Sequence, residues 1–246
     1  MKENLFISDK SLLRFPPKNL KPKTVLDFAT ITYFTDVCNI RYESLIEKLV
    51  TFSDNPDSNN SNFPAIYSDV LEILSSVTTL RILILKRFEF EEGHPLLIEF
   101  GKARLLRNTN QHIEDRIIEI LEKEDASLFG TLSWQRNIPG TTDKIQSFML
   151  YSGVFTKNKK SISGTIPKVP DASSTKRIDE ITFETMVSEN RKDFKVLSLS
   201  INKIMKDLKA IVDSFEIQVQ EQMKNHPNTG RHNTNLFIQA NLSRVE

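Results

Sequence analysis

The stretch Thr182–Lys224, TFETMVSENRKDFKVLSLSINKIMKDLKAIVDSFEIQVQEQMK, decides the fold, because its division settles whether the chain is a helical bundle. Leu197, Ile201, Ile204, Leu208, Ile211 and Phe215 follow one another at alternating spacings of four and three. That is the heptad stripe of a helix packed on neighbouring helices. It predicts one long helix that starts near Thr182 or Arg191 and ends near Lys224.

The rest of the chain reads outward from that helix. Seven glycines in 246 residues is few, and Leu, Ile, Lys and Glu are abundant, which favours helix. Thr24 followed by Asp27 resembles a capping box and opens a helix to about Phe52, with Leu26, Tyr33, Val37, Leu45 and Leu49 near one side. Its start, Asp27 to Tyr33, is rich in Thr and aromatics and also suits a strand. A second helix runs from about Pro64 to about Arg87, apolar on nearly all sides through Val70, Ile73, Leu74, Val77, Leu80 and Leu83–Leu85. Glu91-Glu92-Gly93-His94 makes a turn, and Pro95 opens a third helix to about Glu124.

Between Leu128 and Lys168 the texture changes to short apolar groups among Gly, Pro, Thr and Ser. Leu132, Trp134, Ile138, Phe148, Leu150, Val154 and Phe155, then Ile162 and Ile166, predict two or three short strands, with a turn at Lys157–Lys160 and a linker over Pro167–Thr175. Trp134 reads as an apolar anchor of this insert in preference to a base-stacking platform. Residues 1–23, broken by Pro16, Pro17 and Pro22, read as an arm, Ser53–Asn62 as a loop, and the chain from Asn225 as a loose tail. The fold class expected is therefore mainly α: an up-and-down bundle with helices near 24–52, 64–88, 95–124 and 190–224 and a small β-rich insert. The expected divisions are an arm 1–23, a bundle 24–127, an insert and linker 128–180, a C-terminal helix 181–224 and a tail 225–246.

Charge and composition narrow the function. With 33 basic and 32 acidic residues the formal charge is +1, so no global basic field implies strong non-specific nucleic-acid binding. A single Cys38 excludes an intrachain disulfide and any multi-Cys zinc site and fits a reducing compartment. No apolar run approaches a membrane span and the N-terminus lacks the apolar core of a secretory signal, so a cytoplasmic protein is expected. His94, His112, His226 and His232 have no metal-ligand spacing. The chain has no Gly-rich phosphate loop and no Gly-x-Ser-x-Gly. Neither a metal nor a cofactor is expected.

The chemistry that remains lies in the third helix, in R-L-L-R-N-T-N-Q-H-I-E-D-R from Arg104 to Arg116. At about 100° per residue, Arg107, Gln111, Arg104, Asp115, Asn108 and His112 fall on one arc, and Ala103, Leu106, Ile113, Ile117, Ile120 and Leu121 on the opposite one. The polar arc reads equally as a solvated face or as a site. Leu97, Phe100 and Ile118 bracket it, which suggests a contact surface and a dimer interface.

Arg107-Asn108, three residues, then His112 resembles the signature of the HEPN superfamily, helical bundles many of which are metal-independent RNases. The resemblance covers roughly Thr24 to Glu124, and its specific part is Arg107 to His112. It implies a bundle and an endoribonuclease, with a setting in bacterial defence or a toxin–antitoxin pair and an antitoxin as protein partner. In that role His112 moves the proton, Arg107 holds the phosphate oxygens and Asn108 orients either group, while Arg104 and Arg116 add charge in binding RNA. One chain offers one His where acid and base steps use two groups, so a homodimer is expected. The rival is a non-enzymatic helical interaction protein whose long helix and insert are partner surfaces.

Overall fold

The computed structural model describes residues 5–54, 63–111, 114, 117, 127–137, 145–152, 178–188, 194–224 and 230–232. Among these, four α-helices accompany a four-stranded antiparallel sheet: α1 (Pro22–Asp54), α2 (Phe63–Arg87), α3 (Ile98–Gln111), β1 (Thr131–Asn137), β2 (Ile145–Tyr151), β3 (Ile178–Ser188), β4 (Phe194–Ser200) and α4 (Ile201–Met223). The strands lie in the order β2-β1-β3-β4.

This is a mixed α/β protein and not an up-and-down bundle. The difference lies in the first half of the decisive stretch, where Thr182–Ser188 and Phe194–Ser200 lie in two paired strands and not at the start of a helix. The local cause is a period of two. Ile181, Phe183, Thr185 and Val187 alternate with Thr182, Glu184 and Met186, in a run dense in β-branched and aromatic side chains. Leu197 lies in β4, so the heptad stripe of the helix begins only at Ile201. Ser200 marks the junction with an extended backbone, and its side chain accepts a hydrogen bond from Lys203 N at 3.0 Å as the N-cap of α4.

The sheet is built into the helical core. Leu150, Leu132, Phe183 and Leu199 stand in one cross-strand row, and Phe148, Trp134 and Ile181 in the next. Trp134, fully buried, stacks on Phe148 at 5.4 Å and meets Phe52 of α1 edge-on at 6.1 Å. Its indole N–H donates to Ser53 Oγ at 2.9 Å, and Arg136 pairs with Asp54 at 2.6 Å. The Tyr67 hydroxyl of α2 lies 3.0 Å from the Gly130 carbonyl and 3.1 Å from that of Leu150. The α1–α2 hairpin thus closes over β1 and β2. It is tied within itself by buried Asp69, which accepts from Ser44 Oγ at 2.8 Å and Lys48 Nζ at 2.5 Å.

The chain before α1 packs without forming a helix or strand ladder. Ile7 and Leu13 are fully buried, and Arg14 makes a fork to both oxygens of Asp36 at 2.8 and 2.9 Å. From the expected loose tail, residues 230–232 pair with this segment through Lys18 N to Gly230 O (2.8 Å) and His232 N to Pro16 O (2.7 Å). The predicted turn Lys157–Lys160, the linker Pro167–Thr175 and the expected strand residues Ile138, Val154, Phe155, Ile162 and Ile166 lie outside the described residues.

Candidate functional site

The helix that carries Arg107 and Asn108 is entered through a rigid turn. Phe88 and Phe90, after α2, pack on Phe215 of α4 with ring centroids 4.6 and 6.0 Å apart. His94 lies against Phe90 and its Nδ1 accepts from Leu96 N at 3.3 Å, capping the 3₁₀ turn Pro95–Leu97 that leads into α3. α3 then packs on α2 along one flank and on β3 and β4 along the other.

That double contact overturns the expected interface. Leu97 and Phe100 are 1% and 0% exposed, inside the chain's own core, and so are not free to meet a second copy. Leu97 sits in the 3₁₀ turn, where the α-helical angle count does not apply. Phe100 starts a row with Ala103 and Leu106, all at 0%. A helix wedged between another helix and a sheet buries a wider arc than one leaning on a single neighbour. Ile117, expected in the core, is exposed, as are Ile98 and Leu105.

The predicted site residues divide accordingly. Arg104 and Asn108 are exposed. Arg107, four residues on from Ala103, is half-buried, with its Nε enclosed and without a hydrogen-bond partner among the described residues. The helix thus brings Arg104, Arg107 and Asn108 to one edge with no carboxylate salt-bridged to them among the described residues. His112, Arg116 and Ile118 lie outside the described residues.

Two further charged groups join this edge. Arg81 of α2, its side chain 7% exposed, donates from Nη2 to Glu92 Oε1 at 2.6 Å, and Glu92 is 77% exposed on the turn before α3. The Arg81 Nε is enclosed without a hydrogen-bond partner among the described residues and faces Gly101 of α3, where an added Cβ would lie 3.8 Å away. The hydrogen bond from Arg81, then the charges of Arg81 and Arg104, hold the Glu92 carboxyl below the usual carboxylate range. A signal for Arg81 exists in the sequence: it is a cation between Leu80 and Ile82 in a helix apolar on nearly all sides, and buried charge is rare unless paired. On the inner flank Glu99, also buried, pairs with Lys102 at 2.8 Å.

Chemically, the edge offers guanidinium forks suited to phosphate or carboxylate oxygens. Among the described residues no group of three or more His, Cys, Asp or Glu is arranged to hold a metal ion, and no helix is long and apolar enough to cross a membrane. No family model matches the chain, and no curated protein and no solved structure matches it either.

Proposed function

We propose that the chain is a metal-independent endoribonuclease that works as a homodimer through Arg107, Asn108 and His112. The observation that carries this is Arg107: a half-buried guanidinium whose charge no carboxylate neutralises among the described residues, one residue from exposed Asn108. A cation held in place by its helix and left unneutralised suits an anion that arrives from outside.

In the reaction His112 of one chain takes the proton from a ribose 2′-OH as that oxygen attacks the adjacent phosphorus. The bond from phosphorus to the 5′-oxygen breaks, and that oxygen takes a proton from the second chain's histidine, leaving a 2′,3′-cyclic phosphate and a 5′-hydroxyl. Arg107 holds the non-bridging oxygens as negative charge grows on them, and Asn108 orients the phosphate. Exposed Ile98 and Leu105, seven residues apart and so on one face, are the apolar side chains α3 leaves for a second copy.

The same Ile98 and Leu105 support the rival, a non-enzymatic interaction protein that uses α3 to dock a partner. A single-stranded RNA incubated with the protein in excess chelator separates the two. The nuclease requires cleavage that His112→Ala and Arg107→Ala abolish with helicity retained. Arg107→Lys restores little, since a point charge does not reproduce the planar fork. DNA and 2′-methylated RNA survive. If protein lacking both side chains cuts as fast as the unmutated chain, the nuclease is refuted and the interaction protein stands.

A further inference from the structure

Arg81 is an unusual ion-pair partner. A guanidinium buried in a helix interface is costly unless its hydrogen bonds are met, yet this one has an enclosed Nε with no partner among the described residues and gives Nη2 to a carboxylate that is itself mostly in water. A carboxylate serving only to neutralise Arg81 would be expected beside it in the interface. Instead Glu92 reaches in from the turn between α2 and α3. Arg81 meets α3 at Gly101, which presents backbone and no side chain to it. Arg104 is three residues further along that helix and Asn108 four beyond that, so Gly101, Arg104 and Asn108 share a face. Arg104 is exposed and makes no ion pair among the described residues.

We infer that Arg81 and Arg104 form a second phosphate subsite on the approach to Asn108, and that the Glu92 carboxylate occupies it until RNA displaces it. This rests on the reading of α3 as the RNA-facing helix. A phosphodiester and a carboxylate each carry one negative charge and two free oxygens in a plane that a guanidinium fork fits, so one replaces the other without a change in local charge. Displacement frees an exposed side chain into water and leaves Arg81 paired, so neither charge is stranded. The subsite holds the phosphate of a nucleotide neighbouring the scissile one, and it makes Glu92 a built-in competitor that weakens RNA binding.

The test measures binding of a fluorescently labelled single-stranded RNA by anisotropy across a salt series in chelator, with His112→Ala in every protein to prevent turnover. Glu92→Gln keeps an acceptor for Arg81 and removes the competing charge. It should tighten binding roughly three- to tenfold and leave the dependence of log K on log salt nearly unchanged, because the same phosphates are held once the carboxylate is displaced. Adding Arg104→Gln should reverse the tightening and flatten that dependence by about 0.7, the increment for one phosphate on a single strand. Unchanged affinity in Glu92→Gln overturns the subsite, as does a failure of every variant to bind RNA. Cleavage is assayed in parallel with His112 intact. Tightening by Glu92→Gln without any cleavage sinks the nuclease and keeps the subsite, whereas cleavage with no effect of Glu92→Gln does the reverse.

Discussion

Phe100→Ala distinguishes a core residue from an interface residue. The side chain is fully buried in a row with Ala103 and Leu106, between α2 and the sheet. Truncation removes a ring that contributes about 1.5–3 kcal/mol by its burial. It also leaves a cavity that the two rigid flanks cannot collapse, so the total loss should fall in the range of about 3–5 kcal/mol seen for buried aromatic residues. With a urea m-value of about 3 kcal/mol/M for a chain of this size, the midpoint should drop by roughly 1 to 1.7 M. Ile98, two residues earlier and 51% exposed, is the control: Ile98→Ala should change stability by no more than about 0.5 kcal/mol. Far-UV circular dichroism during urea titration reads both. A loss below about 1 kcal/mol for Phe100→Ala, with self-association weakened instead, would refute the placement of this side chain in the core.

Gly130 has φ +107°, and a Cβ there would lie 2.6 Å from two ring carbons of Phe183 and 2.9 Å from the Glu184 carbonyl oxygen. Gly130→Ala should cost about 3 kcal/mol or more through backbone strain and overpacking, and a urea midpoint near that of the unmutated protein would contradict the fit. Burial pushes the Cys38 thiol up to about 12. The folded state therefore keeps a proton that the unfolded chain sheds above about pH 8.5–9, so stability is full below that pH and falls as pH rises towards 12. Between pH 8 and 10 the thiol's share of the loss should be about 1.4 kcal/mol and should be absent from Cys38→Ala, so equal slopes in the two proteins would show that the thiol is not a cause.

How far the sequence discloses this fold depends on how many neighbours each element has. The stripe from Ile201 to Phe215 was legible because α4 leaves one face to solvent, and α2 because it is apolar nearly all round. The strands β3 and β4 were not, because Leu197 stands four residues before Ile201 and so extends the heptad by coincidence, masking the alternation of Ile181, Phe183, Thr185 and Val187. Trp134 was legible as a core residue from its size and setting. Phe100 was misread because the angle count assumes one apolar stripe per helix, whereas α3 serves a helix and a sheet together.

That geometry also limits what α3 can do. With Leu97, Phe100, Ala103 and Leu106 turned inward, α3 keeps among its described residues a strip of surface from Ile98 through Arg104 and Leu105 to Asn108. Any ligand of α3, an RNA or a second copy of the chain, must use that strip, because the two flanks are already occupied by α2 and by β3 and β4. Arg107 lies at the boundary, half-buried, so in the proposed reaction it would meet a phosphate only from the edge of the core. Its enclosed stem would leave little side-chain entropy to be lost on binding. A site on such a strip is narrow, and its specificity rests on the few side chains that border it. On the proposed reading Arg81 and Glu92 matter for this reason: at the Gly101 end they set how much positive charge an RNA backbone would meet beside the exposed Arg104.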